Sequence, residues 1–348
     1  MKNILYFLFG LVLVFACKPN SNSKNYETAE ILKNVAENIV LPNYTALETN
    51  TNTLNNTVQD LRFSPDAANL VAAQNAFLEA YKSWQKVSVF QFGPAADVAL
   101  NTINIFPTDT TQIHSNIAAS SYNLDAASNI DASGFPALDY LLFSGTESEI
   151  LIRFSTAADS EYALAVSEQI KNKVSQVKSL WETSYKTTFL AATGNAVGSS
   201  LSELTNAMIL NFEKNAREAK IGIPAGVRTL NQIVPDKVEA FYSKNSILLA
   251  KEHIAGFKEL YEGKNGDSFK AILIAVDKET LANNMSSHIL NIETSLNLLS
   301  DPFNEMLEND NTAALATYAE YQKLLPLLKV DMTAALGLLI TYSDSDGD

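Results

Sequence analysis

One cysteine, three histidines and four arginines are all that 348 residues contain of those types. The single Cys17 excludes an internal disulfide framework and any multi-thiolate zinc or iron–sulfur site. His114, His253 and His288 fall on separate segments, which excludes a histidine-rich metal centre. The arginines, Arg62, Arg153, Arg217 and Arg228, are scattered. With lysine the basic total is 25 against 39 acidic residues, a formal charge of −14. So acidic a chain, with no basic patch, repels a phosphate backbone, and no nucleic-acid partner is expected. A G-x-S-x-G elbow, a Walker loop, a G-x-G-x-x-G fingerprint and an H-E-x-x-H helix are all missing. Charged residues are 18% and hydrophobic ones 47%, enough to build a core, so disorder is excluded as a global state.

What is present begins with an address. Residues 1–16 read MKNILYFLFGLVLVFA, a charged Lys2 followed by the apolar stretch Ile4–Phe15. That stretch is shorter than the roughly 20 residues a membrane-spanning helix needs, and it reads as a signal peptide. Val14-Phe15-Ala16-Cys17 resembles a bacterial lipobox. The resemblance implies cleavage before Cys17 and lipidation of its thiol and amine. Lys18 follows, where many inner-membrane lipoproteins have Asp, so the expected location is the cell envelope, anchored to the outer membrane. Residues 17–25 then form a polar tether.

Beyond the tether the periodicity is helical and the fold class is all-α. Ile31, Val35 and Ile39 recur at four-residue steps. Ser64-Pro65-Asp66 predicts a helix start, with Ser64 as cap, running to Phe92 before Gly93-Pro94. Further helices are predicted over Asp159–Leu190, Leu201–Lys220, Ser246–Tyr261, Lys278–Leu299, Thr312–Leu328 and Met332–Thr341. Pro326 should kink or end the penultimate one. The Gly- and Ser-bearing residues 193–200 mark a boundary between two bundle-like halves packed together, 26–195 and 196–348.

Three places carry candidate chemistry. The first is Gly134-Phe135-Pro136-Ala137-Leu138-Asp139, with Ser133 as a cap. Asp139 falls within the apolar stripe of Phe135, Leu138 and Leu142, so its carboxylate faces the interior and needs a partner. It is either a site carboxylate or a structural one. The second is the tail, with Asp344, Asp346 and Asp348 spaced like the opening of a calcium loop but lacking the closing Glu, so an EF-hand is excluded. The third is Arg228 in the 221–228 loop, whose planar fork suits a carboxylate. Trp84, at helical spacing with Phe77 and Tyr81, is read first as core.

The order of these features resembles the imelysin-like family, also filed as the M75 peptidases. The carriers are the lipobox, Trp84 before Gly93-Pro94, GFPALDYLLF at Gly134–Phe143, Tyr242-Ser243 before a helix, and the Ser-Asp-Ser-Asp-Gly-Asp end. The family signature is G-x-H-x-x-E. Here Gly134 matches its Gly, Pro136 stands at its His and Asp139 at its Glu, so the pair that converges on one helical face is reduced to one carboxylate. The resemblance implies a helical envelope protein linked to iron uptake, with a site where the halves meet. Gly134, Pro136, Asp139, Arg228 and Trp84 would line it, and Asp139 with Asp344, Asp346 and Asp348 would hold a divalent metal or iron. Three functions stay open: a lipoprotein binding a metal ion, a chelate or a protein partner; an M75-type metallopeptidase; and a structural lipoprotein without a small ligand. The loss of the motif His favours the first.

Overall fold

The computed structural model describes residue 26 and residues 28–342. The expected signal peptide, Cys17 and tether, and Asp344, Asp346 and Asp348, lie outside them. The described residues contain helices and no strand, and the chain is all-α. No helix among them is long and apolar enough to cross a membrane.

Four helices matter in the first half: α1 (Leu41–Phe63), α2 (Ala67–Val87), α3 (Gly134–Phe143) and α4 (Ala157–Leu180). In the second half α5 (Ser200–Asn211) runs on without a break into a π-helix at Phe212–Gly222. Then come α6 (Ser246–Glu262), α7 (Glu279–Leu296) and α8 (Thr312–Pro326). Helix α1 packs on α2 and α4, and α3 bridges α2 and α4. Where residues 26–195 meet residues 196–348, a contact referred to below as the seam, α6 lies against α2, with the π-helix and α7 also packed on α6. One apolar core runs through both halves.

Local chemistry fixes the ends. Asp66, not Ser64, caps α2, its carboxylate accepting from the Asn69 N–H. Ser64 instead ends α1 through its own N–H to Asp60. Helix α2 stops at Val87, short of the expected Phe92; Ser88–Phe90 turn the chain before Gly93-Pro94 starts a new short helix. Gly263, at φ +80°, closes α6. Pro326 ends α8 but the chain continues as a π turn, Leu327–Met332. The last helix is only Thr333–Leu336, because Gly337 at φ +67° terminates it before the expected Thr341.

The start of α3 is constrained most tightly. Gly134 sits at φ +69°, and a side chain there would overlap the Ile103 carbonyl. Ser133 stands at the cap position but makes no side-chain capping bond. Only glycine lets the motif helix approach the 3₁₀ turn Leu100–Asn104 this closely.

Candidate functional site

The seam between α2 and α6 contains a buried polar network. Glu239, 1% exposed, is its centre. One carboxylate oxygen accepts from Gln85 at 3.0 Å and from Asn104 at 2.9 Å. The other takes the Lys220 ammonium, which also donates to Gln85 Oε1 at 2.7 Å. Tyr81 donates to Asn104 at 2.6 Å and stacks on Phe135 of the motif helix. The residues alternate across the seam: Tyr81, Gln85 and Asn104 from the first half, Lys220 and Glu239 from the second. A buried ion pair with its remaining lone pairs filled by amides is one of the few arrangements that offsets the cost of desolvation. Burial, together with the charges of Glu239 and Asp139, raises the Tyr81 hydroxyl well above its ordinary range and keeps it a neutral donor.

Asp139, 2% exposed, is the second link across the seam. Its two oxygens accept the backbone N–H groups of Tyr242, at 2.8 Å, and Ser243, at 3.0 Å. Burial pushes its carboxyl up to about 6; the two N–H groups pull the other way, and the charge of Glu239 adds to the rise. Arg228, whose fork suits a carboxylate, does not pair with Asp139. The Arg228 fork lies on Glu218, with both nitrogens at 2.9 Å, and Glu218 also receives Arg217 and the Tyr318 hydroxyl. The reason is local: Glu218 is a buried carboxylate ten residues away that needs cations, whereas backbone donors already satisfy Asp139.

Beside the network lies a cavity of about 120 Å³, lined from the first half by Trp84, Gln85, Gln91 and Asn104 and from the second by Lys220 and His253. Three of these side chains carry buried polar atoms with no hydrogen-bond partner: Trp84 Nε1, both amide atoms of Gln91, and His253 Nδ1. Natural interiors leave few such groups unpaired, so each needs an explanation. The tautomer of His253 follows from its neighbour. The Asn211 amide nitrogen donates to the Ser88 carbonyl at 2.8 Å, so Asn211 Oδ1 is the acceptor 2.6 Å from His253 Nε2. Nε2 therefore carries the proton and Nδ1 is a bare lone pair. Burial and the Lys220 charge hold the imidazole well below its usual range, so it is neutral.

A larger open groove of about 1320 Å³, between Tyr26, Asn195, Lys278 and Leu336, lies away from the motif helix. None of the unpartnered buried atoms belongs to its walls.

The family model described as imelysin, peptidase M75, matches residues 40–329. The chain belongs to the imelysin family. Iron-regulated protein A of Synechococcus elongatus is 24% identical over 258 residues, which are 70% of this chain and 67% of that protein. A crystal structure described as an iron-regulated protein A precursor, from Parabacteroides distasonis, superposes with a TM-score of 0.75 at 20% identity, covering 92% of this chain and 97% of that one. An imelysin-like protein from Psychrobacter arcticum gives 0.71 at 16%, covering 90% and 98%. At these identities the two structures show the shared fold.

Of the residues expected at the site, Gly134 sets the approach of α3, Pro136 is buried in its first turn, and Asp139 joins the halves. Trp84 is core, as read first, and also lines the cavity. Arg228 belongs to a different cluster. Three of the four residues expected to hold a metal, Asp344, Asp346 and Asp348, lie outside the described residues; among the described residues no three His, Cys, Asp or Glu side chains are grouped to hold an ion. Pro136 has no ligand atom, and both Asp139 oxygens already face N–H donors. Sequence reading missed Gln85, Gln91, Asn104, Lys220 and Glu239, and gave His253 no role at a site. The signal was available only for His253, Lys220 and Gln85, polar residues set among apolar neighbours on buried helix faces.

Proposed function

We propose that this imelysin-family chain is a non-catalytic, lipid-anchored envelope protein of the iron-uptake system. It binds a small molecule in the cavity between its halves. One observation carries the reading: a cavity lined by polar side chains from both sides of the seam, Gln91, Asn104, Lys220 and His253, lies at Trp84, whose ring packs near Phe135 of the family motif helix. The metallopeptidase reading needs an activated water on a metal held by about three protein ligands. The substitution of Pro136 for the motif His removes one such ligand, and each Asp139 oxygen accepts a backbone N–H across the seam.

The link to iron rests on the family, which includes a relative named as iron-regulated. The anchor rests on Cys17 in its lipobox context. Replacing Cys17 with Ser should move the mature protein from the membrane to the soluble fraction. Retention on membranes after a high-salt wash would contradict the anchor. The test of function replaces two cavity groups at once, Trp84→Phe with Gln91→Leu. The variant protein should fold and localise normally yet fail to support growth under iron limitation. Metal-dependent cleavage of peptides by the wild-type protein would overturn the reading in favour of the peptidase.

A further inference from the structure

We propose that the end of the molecule holding Tyr26 is a membrane-contact face, which rests Val197, Val330 and Leu339 on the lipid surface. This inference rests on the lipid anchor at Cys17 and adds which side of the protein meets the bilayer.

Hydrogen bonds gather three segments at this end. The Tyr26 hydroxyl donates to the Leu336 carbonyl at 2.9 Å, and Asn195 Nδ2 donates to the same oxygen at 3.1 Å. The Gly194 N–H donates to Thr28 Oγ1 at 3.0 Å. Asn206 Nδ2 donates to the Leu339 carbonyl at 2.9 Å. Just beyond these contacts stand Val197, 61% exposed, and Leu339, 64% exposed. Val330, 59% exposed, is on the π turn whose Leu327 and Asp331 line the open groove with Tyr26, Asn195 and Leu336. A single exposed apolar side chain is ordinary on a protein surface, and its position gives it meaning.

Chain length decides what covers this face. Residues 17–25 are all that separates the lipid from Tyr26, and the stretch from Cys17 to Tyr26 extends at most about 30 Å. Thr28–Phe63 is one continuous helical run, roughly 50 Å long at a rise of about 1.5 Å per residue. Its Phe63 end is the opposite pole of the molecule, where Arg62 pairs with Glu161 near the start of α4. Standing the protein on that pole would lift Tyr26 beyond the reach of the tether. The lipid supplies the attachment, so the exposed side chains have only to select an orientation, and the short tether keeps them at high effective concentration beside the bilayer.

The contact is apolar. The charged groups on the groove walls, Lys278 with Asp277 and Asp331, offer no net attraction to anionic headgroups, and Asp344, Asp346 and Asp348 oppose them. Valine and leucine instead enter the boundary between headgroups and acyl chains.

The experiment uses the mature lipidated protein reconstituted in phosphatidylcholine vesicles. Val197→Cys, Leu339→Cys and Ile152→Cys each receive a nitrobenzoxadiazole label, and quenching by a spin-labelled phosphatidylcholine is measured. Cys17, its thiol alkylated by lipid, takes no label. Ile152 is the control: it is 66% exposed, on the helix Glu147–Ser155 that leads into α4 at the opposite pole. Labels at 197 and 339 should be quenched about threefold or more above the label at 152. That difference should survive high salt and gain nothing from added phosphatidylglycerol. Equal quenching at the three positions, or none at 197 and 339 in protein that floats with the vesicles, would overturn the face and leave the anchor standing. A contact that needs phosphatidylglycerol and is lost in salt would overturn its apolar character. Labelling of the wild-type chain, or protein that does not float with vesicles, would overturn the anchor and the face with it.

Discussion

Asp139 and Ser243 stand on opposite sides of the seam, joined carboxylate to backbone N–H at 3.0 Å, with Tyr242 beside them at 2.8 Å. The family's motif carboxylate position is thus a clasp between the halves. Asp139→Ala removes the acceptor from two donors at once. A buried donor left unsatisfied costs about 1–3 kcal/mol, and relief of the buried charge offsets part of that. The expected net loss is about 2 kcal/mol by urea denaturation at pH 7.

The same residue has a pH signature. Its carboxyl titrates at about 6 in the folded protein against an ordinary value of 3.8. Between those values the native state holds a proton that the unfolded chain has released. Ionisation therefore penalises the fold as pH rises through this window, by roughly 3 kcal/mol once both states are ionised. His253 acts in the opposite sense: held neutral by burial, it destabilises the fold as pH falls below 6.5. Comparison with Asp139→Asn cancels the His253 contribution, because both proteins share it. Wild type should gain on the Asn variant as pH is lowered from 7 to 4.5. A difference that stays flat across that range would contradict the assignment.

Lys220 and Glu239 should behave as a coupled pair. Lys220→Met leaves the Glu239 charge buried without its cation, which costs about 3–5 kcal/mol for pairs of this kind. Glu239→Gln in the same background removes the orphaned charge and should recover more than half of that loss. Denaturation of the two single variants and the double variant gives the coupling directly.

Gly134→Ala should cost more than about 2 kcal/mol, from a left-handed backbone and the overlap with the Ile103 carbonyl. The damage should be local to the seam, and amide hydrogen exchange should show Tyr242 and Ser243 losing protection first.

Helical periodicity, Gly and Pro stops, and the burial of Asp139 were legible because each depends on residues within a few turns of one another. The partners of Asp139 were not. They are backbone N–H groups a hundred residues away, and a backbone donor leaves no trace in residue identity. The pairing of Arg228 with Glu218 was hidden for a related reason: an arginine fork suits any carboxylate, and nothing in the sequence ranks Glu218, close in sequence on a π-helix, above Asp139. A π-helix rotates side chains away from the 3.6-residue spacing, so the burial of Glu213, Arg217 and Glu218 does not follow from helical periodicity. Glu239 lies between helices and has no periodic context at all. The cavity is a product of two halves meeting, and only Trp84 among its unpartnered groups stood out by type.

The central claim is that the seam cavity holds a small organic ligand. Native mass spectrometry of mature protein released gently from its own membranes tests it most directly, with wild type compared against the Trp84→Phe, Gln91→Leu double variant. The account predicts a discrete added mass of an organic molecule on the wild type that is absent from the variant. Identical apo masses for the two proteins, or an added mass equal to a bare metal ion, would contradict it.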